Sequence, residues 1–156
     1  MGIALILASV LMISKIYSEY LTRGVSELRE FKDLLEKMNL RVTAYLDTGW
    51  GFIKDEDYRA LRRVGFIDSL SHGSLFEAYS ECLESLSISK SDKALLNDFF
   101  KEYGKSDMNS EIKRTEKIIS ELDKRGANAH SEVEKKIKVF TSVTLAVCMG
   151  VVILLM

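Results

Sequence analysis

An all-α antiparallel bundle of two long and three shorter helices, with an apolar anchor at each end, is the fold class this sequence predicts. Three observations carry it. There is no proline in 156 residues, and proline is the commonest cause of a broken helix. Two long stretches repeat apolar residues at steps of three and four, the helical spacing, and no stretch alternates as a half-buried strand would. All 22 Lys and Arg and all 23 Asp and Glu lie between Lys15 and Lys138, leaving both ends apolar.

The N-terminal run MGIALILASVLMI reaches about 20 Å as a helix. It extends to Leu21 if Lys15 and Glu19 turn their heads to water and Tyr17 and Tyr20 sit at an interface. With no basic leader and no A-x-A site it reads as a retained anchor over residues 1–18 rather than a signal peptide. The C-terminal run VFTSVTLAVCMGVVILLM, residues 139–156, carries no charge. It covers about 27 Å against a hydrocarbon core of about 30 Å, so a membrane span is expected there. Lys15 and Arg23 follow the first run, and Lys135, Lys136 and Lys138 precede the second. The positive-inside rule then puts residues 19–138 in the cytoplasm.

That middle opens on a seam of Tyr17, Leu21, Gly24, Leu28, Phe31, Leu35, Met38, Val42 and Tyr45. It closes on a second, Ile112, Thr115, Ile119, Leu122, Gly126, Ala129, Val133, Ile137 and Phe140. Each is one apolar stripe on a charged helix, and packing the two together buries both. The small residues Gly24, Gly126 and Ala129 predict close approach of these helices. Between them, DEDYRALRRVGF reads as a helix with acids in its first turn, Arg62 and Arg63 in its last, and Gly65 in a left-handed stop. SLFEAYSECLESL begins with the Ser74/Glu77 spacing of a capping box. SDKALLNDFFKEYG places Leu95, Leu96, Phe99, Phe100 and Tyr103 on one face.

Several short motifs suggest chemistry, and their surroundings argue against it. Gly104-Lys105-Ser106 matches the end of a phosphate-binding loop, but the preceding glycine and strand are missing. A turn is expected instead, with Gly104 ending one helix and Ser106 or Asp107 capping the next. Asp47-Thr48-Gly49 matches the aspartic-protease triplet without the paired lobes that chemistry needs. Trp50 and Phe52 are expected to seal the end of the bundle. His72 and His130 have no ligand-spaced neighbours, and Cys82 and Cys148 form no metal or disulfide pattern. A net charge of −1 argues against nucleic acid as a partner. Arg59, Arg62 and Arg63 share a helical face that suits an acidic partner, with a solvated face as the plainer reading. No enzyme, metal or cofactor is expected.

The second half resembles the stage III sporulation protein AB family. DFFKEYGKSDMNSEI resembles that family's L-G-x-S-D junction, with Gly104, Ser106 and Asp107 in place, Tyr103 where leucine is usual, and Glu111 where glutamine is usual. GSLFEAYSECLES is similar to its Gly-x-x-x-x-Ala-Trp segment, with Ala78 and then Tyr79 for the tryptophan. SEVEKKIKVFTSVTLAVCMGVVILL follows its lysine-spaced run into a terminal span, with Gly150 for the usual glycines. The resemblance implies a non-enzymatic platform in the mother cell–forespore channel, similar to the inner-membrane platform of type II secretion and type IV pilus machines. It implies a mother-cell membrane location, with sibling channel proteins and a secretion-type ATPase as partners, and self-association is compatible with it. The competing expectation is a membrane-anchored helical sensor, which would need a ligand pocket and an output domain.

Overall fold

The computed structural model describes residues 2–45, 53 and 57–155. Among these, every extended element is an α-helix: α1 (Gly2–Tyr45), α2 (Arg59–Arg63), α3 (Phe66–Leu70), α4 (Leu75–Cys82), α5 (Lys90–Glu102) and α6 (Met108–Leu155). The all-helical expectation holds, with four short helices in place of three. The additional one, α3, is five residues long and too brief to show a period in sequence. The helix read across DEDYRALRRVGF begins only at Arg59, past its acidic residues. Gly65 takes φ 85° as expected, but there it also starts α3. The chain divides into two compact units, Arg23–Gly126 and the paired termini Met1–Thr22 with Ala127–Met156.

The core of the 23–126 unit is an aromatic cluster. Phe31 of α1 lies 5.2 Å from Phe66 of α3 and 6.0 Å from both Tyr79 of α4 and Phe100 of α5, between ring centroids. Tyr79 and Phe100 are 5.0 Å apart. Edge-on and tilted rings at this spacing each add about 0.5–1.5 kcal/mol beyond the area they bury. Leu28, Leu34, Leu35, Leu61, Leu96 and Leu122 are buried in the same unit. The seam of α1 thus holds at Leu28, Phe31, Leu35 and Met38 and widens to Leu34. On α6 it shifts: Glu111, Thr115, Ile118 and Leu122 are buried, whereas Ile112 and Ile119 are half-buried. Lys32 of α1 and Asp123 of α6 form an ion pair.

Gly24 permits a close approach, to a different neighbour from the expected one. A Cβ there would sit 2.9 Å from the backbone oxygen of Ser87, in the loop between α4 and α5, whereas one at Gly126 would meet nothing within 4 Å. Loop backbone is what approaches Gly24 most closely.

In the unit of paired termini, the Tyr17 and Phe140 rings meet at 4.6 Å between centroids, tilted by 37°. Val10, Ser14, Ser18 and Leu21 on α1, and Val133, Ile137, Phe140, Thr144 and Cys148 on α6, are half-buried at helical spacing. The other faces are bare: Met12, Ile13, Ile16, Tyr20, Val139, Val143, Leu145, Val147, Met149 and Ile153 are each 54–71 % exposed. Thr141 and Ser142 turn their hydroxyls back to donate to the Ile137 and Lys138 carbonyls at 2.8 and 2.9 Å. Among the described residues no helix is long and apolar enough to cross a membrane.

Candidate functional site

The turn that carries the family-like residues is built as a polar knot. α5 ends at Tyr103, and Gly104 adopts φ 82°, a conformation in which a side chain would be strained. The Asp107 carboxylate accepts the Ser110 N–H at 3.1 Å and so caps α6, while Ser106 takes another role, accepting the Arg114 guanidinium at 2.9 Å. Arg114 also donates to the Glu102 carbonyl at 2.9 Å and meets Glu111 at 3.3 Å. The buried Glu111 carboxylate accepts the Gly104 N–H at 2.9 Å. Hydrogen bonding from Ser110 holds the Asp107 carboxyl below its usual pKa. Lys105 is exposed and pairs with Glu102 at 3.3 Å. The knot joins α5 to α6, and the Gly104, Lys105, Ser110 and Glu111 N–H groups find acceptors within it.

Ala78 and Tyr79 are fully buried. The capping box forms as expected, with the Glu77 N–H donating to Ser74 Oγ at 3.3 Å and the Ser74 N–H to Glu77 Oε2 at 2.8 Å. It starts α4 at the register that turns Tyr79 inward. The Tyr79 hydroxyl donates to the Lys93 carbonyl at 2.8 Å, tying α4 to α5. Burial pushes this phenol well above its usual pKa. Cys82, one turn on, is pushed up to about 12 by burial, and its thiol donates to the Tyr79 carbonyl at 3.3 Å.

The feature that sequence reading missed is a pair of carboxylates on α1. Glu30 is bidentate: Oε1 accepts the Ala60 N–H and Oε2 the Leu61 N–H, each at 2.9 Å. These are first-turn donors of α2, whose own N-cap, Tyr58, makes no side-chain cap. Glu27, one turn earlier and 0 % exposed, accepts the Ser87 N–H at 2.6 Å and meets the Arg63 guanidinium at 3.3 Å. Two acids one turn apart therefore clasp both ends of the inserted segment, α2 and the loop before α5. Asp92, also buried, accepts from Arg125 of α6 at 3.0 Å. The signal in the sequence was faint: Glu27 lies beside Leu28 in the seam, and Glu30 beside Phe31.

The clasp bears on the three arginines. Arg63 is drawn toward Glu27 and remains 48 % exposed, while Arg59 is outermost and pairs with Asp57 at 2.9 Å. Arg62 is exposed and already engaged in an interaction. Lys135, Lys136 and Lys138 are all exposed on α6. His72 lies beside Ser71 Oγ at 2.8 Å, on an open groove of about 490 Å³ that Asp68, Glu77 and Glu81 also line. No cluster of metal-ligating side chains occurs among the described residues. Asp47-Thr48-Gly49, Trp50 and Phe52 lie outside the described residues.

The buried carboxylates Glu27, Asp92 and Glu111 are each engaged by donors within the chain. A family model described as stage III sporulation protein AB matches residues 67–156. That span takes in the capping box, Tyr79, the 104–114 knot and the terminal apolar segment. No curated protein and no solved structure matches the chain.

Proposed function

Because the chain belongs to the stage III sporulation protein AB family, we propose that it is a non-enzymatic platform subunit of the channel built between mother cell and forespore. In this reading residues 1–18 and 139–156 lodge in the mother-cell membrane and the helical middle faces the cytoplasm. There it meets sibling channel proteins and a secretion-type ATPase.

The family match carries the sporulation role. Two physical features support the placement. The terminal unit exposes large apolar side chains along both of its helical segments, at a cost in water of about 25 cal/mol per Å² that a lipid or protein cover removes. The Thr141 and Ser142 hydroxyls are satisfied within their own helix, as hydrocarbon surroundings require. Support for a platform over a catalyst comes from the middle, whose polar knot and clasp join its helices. Arg59 at the outer end of α2 is the cation most available to an acidic partner.

Deleting the gene in a spore-forming host, and restoring it in trans, tests this. The reading expects heat-resistant spores to fall by orders of magnitude and to return on complementation. It also expects Lys105→Ala to complement as well as the wild type. Normal spore counts in the deletion strain would overturn it.

A further inference from the structure

The charge adjoining each bare apolar face is a lysine. Lys15 is the first charge after the N-terminal run, next to exposed Met12 and Ile13. Lys138 is the last before the C-terminal run, next to exposed Val139 and Val143. The rings of Tyr17 and Phe140, two residues from each, meet at 4.6 Å, which brings both lysines within about 3 Å of one level along the helices. Lys135 and Lys136 follow within about 8 Å of it. All four are exposed, and none takes part in an ion pair among the described residues. Of the acids of this unit, Glu19 lies about level with Lys138, two residues past Tyr17, while Glu132 and Glu134 lie farther from the apolar faces, and Glu134 faces His130 at 3.5 Å.

We infer that Lys15, Lys135, Lys136 and Lys138 form a collar around the Tyr17–Phe140 ring pair that docks on the phosphates of anionic lipids. The inference rests on the anchored reading above and adds the chemistry of the headgroup to it. A single occupant answers both features, because the bilayer that covers the apolar faces presents phosphates at their edge. The aromatic rings suit the same boundary, where an amphipathic side chain has one end dry and one wet. Long lysine stems reach up to the headgroups while their methylenes stay against apolar surface. Each lysine near an anionic surface is worth about five-fold in local lipid preference, and salt weakens it.

The test uses the full chain, reconstituted from detergent into phosphatidylcholine vesicles with and without phosphatidylglycerol. Flotation reports insertion, and spin-labelled phosphatidylglycerol against spin-labelled phosphatidylcholine reports which lipid gathers at the protein. The wild type should float with both vesicle types and enrich phosphatidylglycerol at least five-fold. That enrichment should fall toward one in K15Q/K135Q/K136Q/K138Q, and at high salt, and should persist in the all-arginine counterpart and in millimolar inorganic phosphate. Equal association of the two lipids in a wild type that floats would overturn the collar and leave the anchors standing. Enrichment retained in the glutamine variant would overturn it as well, as would preference for an acidic polypeptide over the vesicles. Failure to float with any vesicle would remove the anchored reading itself. Unchanged far-UV circular dichroism of the glutamine variant separates lost charge from lost fold.

Discussion

The carboxylate of Glu27, fully buried, meets the half-exposed guanidinium of Arg63 at 3.3 Å while accepting the Ser87 N–H at 2.6 Å. Removing Arg63 strands the carboxylate, whereas the guanidinium can return to water. Arg63→Ala leaves a buried carboxylate with a single donor and should destabilise by about 3 kcal/mol, the low end for such pairs because the half-exposed guanidinium is already partly screened by water. Arg59→Ala, which breaks an exposed pair with Asp57, should cost under about 0.5 kcal/mol. Denaturant unfolding of the full chain in detergent distinguishes the two, and equal losses would contradict the clasp.

Glu27→Gln keeps an acceptor for Ser87 and loses the charge. Its local signature is amide exchange: protection at Ser87 should drop, while Ala60 and Leu61, held by Glu30, keep theirs. Hydrogen exchange read by mass spectrometry over residues 57–89 checks this.

Two glycines on the long helices should respond with opposite signs. Gly24→Ala puts a methyl 2.9 Å from the Ser87 oxygen and should destabilise by about 1–3 kcal/mol through overpacking against backbone. Gly126→Ala meets open space inside α6 and should stabilise by about 0.5–1 kcal/mol from helix propensity. Thermal midpoints of the two variants settle the signs.

Acid should loosen two helix starts first. The Glu77 and Asp107 carboxyls are held below their usual pKa values by hydrogen bonds from Ser74 and Ser110. For a depressed carboxyl the stabilisation is complete above the unfolded value, here 4.5 and 3.8, and is lost as pH falls through the folded one. The first turns of α4 and α6 should therefore fray below about pH 4, seen as faster proteolysis near residues 74 and 107, and Asp107→Ala should show the same fraying at neutral pH.

Cys82, its thiol pushed up to about 12 and its side chain 1 % exposed, should resist alkylation at pH 8 in a Cys148→Ser background. It should react promptly once the chain is unfolded, which titration with a maleimide reports.

Local chemistry was the legible part of this sequence. The Ser74/Glu77 box, the left-handed Gly65 and Gly104, and the apolar face of α5 follow from rules that operate within a few residues, and they stand where those rules put them. Ser106 and Asp107 divided their tasks as only the position of Arg114, a turn into α6, could decide. What could not be read depended on contacts between distant segments. Glu27 and Glu30 look like the solvated flank of a seam until the 57–89 segment folds over them. The α6 seam slipped to Glu111 and Ile118 because Glu111 is pulled inward by the Gly104 N–H, a demand invisible to a count of apolar residues. The small size of Gly24 suggests a helix contact, yet the backbone of Ser87 and Ile88 is what approaches it most closely.

Alkaline carbonate extraction of membranes from cells making the full chain bears most directly on the proposal that both apolar ends lie in lipid. The chain should stay with the pelleted bilayer, and a double variant with Ile13→Asp and Val143→Asp should leave it. Release of the intact wild-type chain into the supernatant, alongside peripheral proteins, would contradict the account.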